Sequence, residues 1–352
     1  MKNFIEKAGK ARRLSRFKEA GRYYYLEAKT SPSYDAYYGL GDMLRMTGSY
    51  RKALKAYKTA GRFVLENKAA SADIYMGCGM ALRAVMEYKK AAGYFLGAKK
   101  TYLALSDREG QAYSLWCLGG LYRIMGNLKA ALAAFDKSLA IYKKIGNKEY
   151  FAFALAGRGG TLRMLGRFEE SLSCYRTANK YFKKMKDIFG LAYSNCGMGS
   201  ANRMLGNYLV SDAHYKKAEK YYRSFKDEIN YAYVLFGHAN TLLCLGAAGK
   251  SVLLNRKSKK LFKRAGDKRG YAYALLQEGE IKRNAGCKKE ALRVFKTAVK
   301  ISRKYGLKLE SIHGEMGIFF TEGKGPNPIK KYCKLKTNWQ SVLKRNSILN
   351  FP

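Results

Sequence analysis

Proline is scarce: four among 352 residues, at Pro32, Pro326, Pro328 and Pro352, so nothing interrupts long helices between the first and the second. Histidine is scarcer, and His214, His238 and His313 stand alone, none with a second His or a Cys at metal-ligand spacing on one helix. The seven cysteines are scattered, with no CxxC, which excludes a zinc ribbon and a disulfide frame. Most fall inside helical patterns, such as Cys78, Cys117 and Cys196, and read as small reduced core residues of a cytoplasmic protein. No run of 18 apolar residues occurs, so no transmembrane helix is expected. The first residues, MKNFIEKAGKARRLSRFKEA, are charged without an apolar core, and no signal peptide is expected. Acid is also in short supply: 26 Asp and Glu face 68 Lys and Arg, a net charge of +42. A field of that size attracts polyanions and repels copies of the chain.

What is present in abundance is repetition. Gly126, Gly166, Gly206, Gly246 and Gly286 stand 40 residues apart without a slip. Asp107, Asn147, Asp187, Asp227 and Asp267 keep the same interval. A fixed period between about 20 and 50 residues marks a solenoid. One full unit runs from Tyr150 to Asp187. Its first half has Phe151, Ala154, Leu155, Leu162 and Leu165 at helical spacing. Gly166 marks the stop, and Arg163 sits in the last turn. Its second half carries Phe168, Leu172, Tyr175, Ala178 and Phe182 on one face, and Asp187 is placed to cap the next helix.

Small residues recur where helices must approach: Gly41, Gly79, Gly119, Gly159, Gly199, Ala239 and Gly279 on first helices. On second helices they are Ala20, Ala53, Ala91, Ala131, Ser171, Ser211, Ser251 and Ala291, with another small residue seven positions on. An aromatic lies between those rungs at Tyr57, Phe95, Phe135, Tyr175, Tyr215 and Phe295. On this ladder and the turn glycine the chain resembles a tetratricopeptide-repeat protein. The familiar unit has 34 residues; this one mostly has 40, similar to the longer-helix versions in scaffold and regulatory adaptors. The resemblance implies an all-α fold, a right-handed superhelical solenoid of antiparallel helix pairs. Residues 1–322 would hold about eight pairs and a capping helix, and 323–352 a basic tail. That tail has seven basic residues and no acid, leaving +35 on the repeats. A short helix is expected in it near Asn338 to Arg345.

Motifs for chemistry are missing. CLGAAGKS (244–251) ends like a P-loop, but Cys244 holds the place of the first glycine and a helix precedes it. The GxG pieces at Gly77–Gly79 and Gly197–Gly199 lie inside helices, not in strand-to-helix turns. No nucleophile elbow or clustered acid pair appears. The expectation is a non-enzyme, with no cofactor, metal or small-molecule substrate.

Two recurrent first-helix positions are the candidate site. Three residues before each turn position stands arginine: Arg45, Arg83, Arg123, Arg163, Arg203 and Arg283, with Leu243 the exception. About ten residues earlier stands an aromatic: Tyr113, Phe153, Tyr193, Tyr233 and Tyr273. Ten residues are nearly three turns, so both fall on one face. In the proteins this chain resembles, that face lines the inner, concave surface and grips an extended peptide or a helix. The arginines are compatible with two roles. They cap carboxyl ends of helices and cover apolar surface with their stems, or their planar forks hold a line of anions. The leading expectation is a scaffold for an acidic peptide or protein segment. The alternative is a nucleic-acid-binding repeat protein, on the strength of +42 and the interleaved aromatics, against which the lysines read as spread over both faces.

Overall fold

The computed structural model of the chain describes residues 4–331, apart from 15, 65, 226, 324, 326 and 330. The described residues form seventeen α-helices, a short 3-10 turn at Gly61–Phe63 and no strand. The helices come in pairs: α1 Phe4–Arg13 with α2 Phe17–Thr30, α3 Tyr34–Met46 with α4 Tyr50–Ala60, and α5 Lys68–Ala84 with α6 Tyr88–Ala104. Next come α7 Arg108–Ile124 and α8 Leu128–Lys144, then α9 Lys148–Leu165 with α10 Phe168–Met185, and α11 Ile188–Met204 with α12 Tyr208–Phe225. The last pairs are α13 Glu228–Cys244 with α14 Ala248–Ala265 and α15 Lys268–Asn284 with α16 Lys288–Lys304; α17 Lys308–Glu322 follows alone. Two compact units result: residues 1–121 with 140–145, and 122–139 with 146–352. The helix expected near 338–345 lies outside the described residues.

The 40-residue signals act as the sequence suggests. Asp107, Asp187 and Asp267 each accept a hydrogen bond from the backbone N–H three residues on, at 2.9 Å. Asn147 and Asp227 do the same at 3.1 and 3.0 Å. Each such cap satisfies an orphan donor and contributes about 1 kcal/mol. The turn glycines from Gly126 to Gly286 all take a left-handed backbone, with φ between 76° and 85°. Met86, where the third pair lacks its glycine, is forced into the same region at φ 66°.

The core explains a feature that the sequence shows only as stray GxG pieces. Several second-helix aromatics are gripped by two glycines, one from their own first helix and one from the next; at Phe95 the first is Gly79 and Cys117 holds the place of the second. A Cβ on Gly41 would stand 2.7 Å from the Tyr57 ring, and one on Gly77 2.6 Å from it. Phe295 meets Gly279 and Gly317 in the same way, at 2.6 and 2.5 Å. Tyr175 lies between Gly159 and Gly197, and Tyr215 between Gly199 and Gly237. These rings are at most 3% exposed. Burying a ring of this kind stabilises by about 1.5–3 kcal/mol. Ser251 of the P-loop-like run is one of the small packing residues: it is fully buried and its hydroxyl donates to the Ala239 carbonyl at 2.7 Å.

The joint between α14 and α15 departs further from this pattern. Asn255 takes the aromatic's place, Ala239 that of the first glycine and Gln277 that of the second. Asn255 and Gln277 are buried, and Asn255 Nδ2 donates to the Ala274 carbonyl at 3.1 Å. Asn255 Oδ1 and both amide atoms of Gln277 lack a hydrogen-bond partner among the described residues.

The last described helix is tied on through charge. Arg269 Nε donates to Glu310 at 2.6 Å, and Glu310 is 1% exposed. Burial raises the Glu310 carboxyl, but Arg269 more than offsets it, and the group is held below the usual carboxylate range.

Candidate functional site

In the second unit each first helix packs on the next: α9 on α11, α11 on α13, α13 on α15 and α15 on α17. No second helix packs on another to that extent. The first helices therefore form the tighter, inner side of this unit, and they carry the arginine and aromatic rows.

The aromatics serve mainly the joints between pairs. In the first unit the Tyr113 ring stacks on Trp116 at 5.8 Å, and its hydroxyl reaches Met80 Sδ at 3.7 Å. In the second unit Phe153 packs on Phe182 with centroids 4.8 Å apart, and Tyr193 is half-buried against the same core. The Tyr233 ring meets Phe262 at 4.8 Å, and its hydroxyl donates to Asp267 at 2.8 Å. That bond ties the aromatic row to the capping aspartate of the next first helix. Tyr273 is 5% exposed and lies under the Arg269 guanidinium at 5.3 Å.

The arginines divide into two kinds. Arg45 and Arg283 are neutralised by carboxylates one turn back. Arg45 Nη2 donates to Asp42 at 3.2 Å, and Arg283 Nη2 to Glu280 at 2.6 Å. Tyr57 joins the first group, its hydroxyl donating to Asp42 at 2.7 Å and accepting from Arg45 Nε at 3.2 Å. Arg83, Arg123, Arg163 and Arg203 have no such carboxylate three residues before them. The Arg83 guanidinium approaches Gly120 of the next first helix, and Arg123 does the same at Gly160. Arg203 is 1% exposed, so its row does not stand open to solvent along its whole length. Arg163 Nε is buried without a hydrogen-bond partner. Burial works against the Arg163 charge, while Tyr175, Tyr215, Tyr273 and Cys196 work for it, and the balance is upward. None of these four is a carboxylate. The centre of the inner face is thus a half-buried guanidinium near phenol hydroxyls and a thiol.

Polar residues absent from the sequence reading line the same helices. Asn195, Asn202 and Asn240 are buried, each amide donating to the carbonyl four residues back, at 2.7, 2.9 and 3.0 Å. No period flags them, because each occurs at its own register. The histidines also find partners that spacing along one helix does not reveal. His214 Nδ1 pairs with Asn195 Oδ1 at 3.0 Å. His238 Nε2 pairs with Asp212 at 2.8 Å and its Nδ1 with Glu219, both on α12. His313 is buried in α17, and burial pushes it down to about 3. Among the described residues no three His, Cys, Asp or Glu converge as metal ligands, and no helix is long and apolar enough to cross a membrane.

The tetratricopeptide-repeat family model matches residues 109–184. No curated protein matches the chain. Several solved structures share the fold. A Rap protein complexed with competence and sporulation factor superposes with a TM-score of 0.62 at 12% identity, over 94% of this chain and 98% of its own. The Rap conjugation gene regulator of plasmid pLS20, in complex with the Phr* peptide, gives 0.63 at 15% identity, over 77% and 74%. Aspartyl phosphate phosphatase F from Bacillus subtilis gives 0.58 at 14% identity, over 99% and 94%. At such identities the likeness carries the fold alone. Residues 109–184 thus match the tetratricopeptide-repeat model, and helix pairs of the same build stand on either side of them.

Proposed function

We propose that the chain is a non-catalytic, cytoplasmic interaction scaffold that takes an acidic peptide on the inner face of its second unit. A carboxylate of the ligand lies against Arg163, flanked by Arg123 and Arg203. The observation that carries this reading is Arg163 itself: a half-buried guanidinium whose strongest neighbours include no carboxylate and whose buried Nε makes no hydrogen bond among the described residues. A half-buried cation with no carboxylate beside it is partly desolvated at a cost, and a ligand carboxylate removes that cost with a forked hydrogen bond. The flanking Phe153, Tyr193 and Tyr233 are half-buried and offer apolar contact. A Rap regulator of the same fold in complex with the Phr* peptide supports a peptide as ligand class. The repeats would end with α17, leaving 323–352 as a separate basic segment.

The test uses short labelled peptides graded in Asp and Glu content, with binding read by anisotropy. Arg123→Gln with Arg163→Gln should weaken the acidic peptides by at least about tenfold, since a hydrogen bond to a charged group is worth about 1.5–3 kcal/mol. Helicity and melting should stay close to those of the parent. Binding that is indifferent to acid content, or that survives both changes, sinks the proposal.

A further inference from the structure

The net charge is not spread evenly over the helices. In register with the repeat, one row of exposed side chains on the second helices α10, α12, α14 and α16 reads Lys180, Lys220, Lys260 and Lys300. One turn earlier the row is Arg176, Lys216, Arg256 and Lys296. One turn later it is Lys183, Arg223, Lys263 and Arg303. A fourth row, at 184, 224, 264 and 304, is broken only by Ser224. Fifteen of these sixteen positions are basic, and all fifteen are exposed. One pair earlier the first two rows are Asp136 and Ala140, so the lattice begins at α10 and belongs to the second unit. The lysines, which read as spread over both faces, are therefore gathered on the second helices here.

Cations at a helix C-terminus answer the macrodipole, but that effect fades within the last turn. It accounts for the rows at 183 and 184, not for those at 176 and 180. Nor are the charges mostly neutralised. Lys216, Arg223, Arg264, Lys296 and Arg303 meet carboxylates, with two of those pairs as loose as 3.7 and 3.8 Å. The other ten have no ion pair among the described residues.

We infer that this outer face of α10 to α16 binds the backbone of duplex nucleic acid without regard to sequence. Four features carry the inference: a repeated charge of one sign, no acid among the four rows, a length that matches the ligand, and no exposed apolar or aromatic residue within the lattice. Along each helix the lattice spans about 12 Å. Packed helices stand about 8–10 Å apart, and the second helices, which do not pack on one another, stand further apart than that, so their three intervals cover more than about 24–30 Å, close to one turn of duplex. A lipid surface calls for apolar side chains inserted beside the charge. The intervening positions, Tyr181, Tyr221, Leu261 and Ile301, are instead half-buried toward the core. The same burial removes the stacking platforms that a single strand uses. This surface lies on the helices opposite to those that carry Arg163, so it stands independently of the peptide proposal.

The experiment measures binding of the full chain to a labelled mixed-sequence DNA duplex of about 20 base pairs across a salt series. Six to ten phosphate contacts give a log–log salt slope of roughly −5 to −9. Neutralising one row, with Lys180→Gln, Lys220→Gln, Lys260→Gln and Lys300→Gln together, should flatten the slope by about 3–4 and weaken binding by more than about thirtyfold near 0.1 M salt. The control removes equal charge elsewhere, at Lys52, Lys89, Lys129 and Lys289, all exposed near the opposite ends of second helices. It should keep most of the affinity, with both variants folded by circular dichroism. An equal loss in the two variants reduces the effect to net charge and overturns the proposal. No duplex binding, tighter binding of the single strand, or binding of phosphatidylserine vesicles in preference to duplex overturns it too.

Discussion

Phe295 fits against Gly317 only because the glycine has no side chain: a Cβ there would stand 2.5 Å from a ring carbon. Gly317→Ala must therefore push α17 off the last pair or force the ring out of its rotamer. Overpacking of this kind costs about 1–3 kcal/mol and sometimes more. The contrast is Gly93, inside α6, where an added Cβ meets nothing within 4 Å. Gly93→Ala should stabilise by up to about 1 kcal/mol through helix propensity. Urea melts of the two variants check the pair. Similar midpoints would mean that the glycine clamp is not what sets the spacing of helices.

The joint at Asn255 and Gln277 gives a test by repair. Three buried amide atoms there go without hydrogen bonds, and each such group costs about 1–3 kcal/mol. Restoring the pattern of the preceding pair takes Ala239→Gly, Asn255→Tyr and Gln277→Gly together. Asn255→Tyr alone should destabilise by driving a ring into Gln277. Gln277→Gly alone should destabilise by opening a cavity. The triple variant should melt above both, and above the parent. Additive losses across the series would show that Asn255 and Gln277 are not coupled.

His238 forms a latch whose strength depends on pH. It bridges Asp212 and Glu219, stacks on Tyr215 at 5.8 Å and is 7% exposed in its side chain. Lys216 and Arg223 sit on the far sides of the two carboxylates. Burial lowers the His238 pKa, but the two carboxylates more than reverse this, and the net shift is upward. A raised folded value means stability that is fully present below the ordinary histidine range and lost as pH rises through the folded value. Asp212 runs the other way: burial raises it, while Lys216 and His238 bring it below its ordinary value. Its contribution is lost as pH falls through that lowered value. The latch should hold best in mildly acidic solution between the two. His238→Gln should cost about 3 kcal/mol near pH 6, since it strands two partly buried carboxylates, and less near pH 9. A penalty that is flat between those limits would show that the imidazole does not change its charge between them, and would sink the latch.

Much of the fold is legible in one dimension because the period is exact. The capping Asp and Asn, the left-handed glycines and the Ala and Ser rungs each do a local job, and each recurs at a fixed interval. The second glycine of the clamp escapes that reading. Gly77 and Gly197 touch an aromatic about twenty residues upstream, so nothing in their own helix explains them. The arginine row is legible as a row, but not as two kinds of arginine until Asp42 and Glu280 are seen to neutralise its ends. The covered state of Arg203 and Tyr273 depends on inner helices closing on one another, which no single repeat encodes. The basic lattice needed only the repeat register and the knowledge of which side of each second helix is exposed.

The pairs bury their aromatics against glycines of the very next helix, and the described helices that pack closely are neighbours or next but one in the chain. This has a consequence for how the protein comes into being. Contacts between near neighbours in sequence close small loops, so little chain entropy is lost before each is rewarded. A pair emerging from the ribosome already has its docking surface waiting in the pair made before it. The array can thus grow in the order of synthesis, with α17 sealing Phe295 and Glu310 from water only after the repeats behind it are in place.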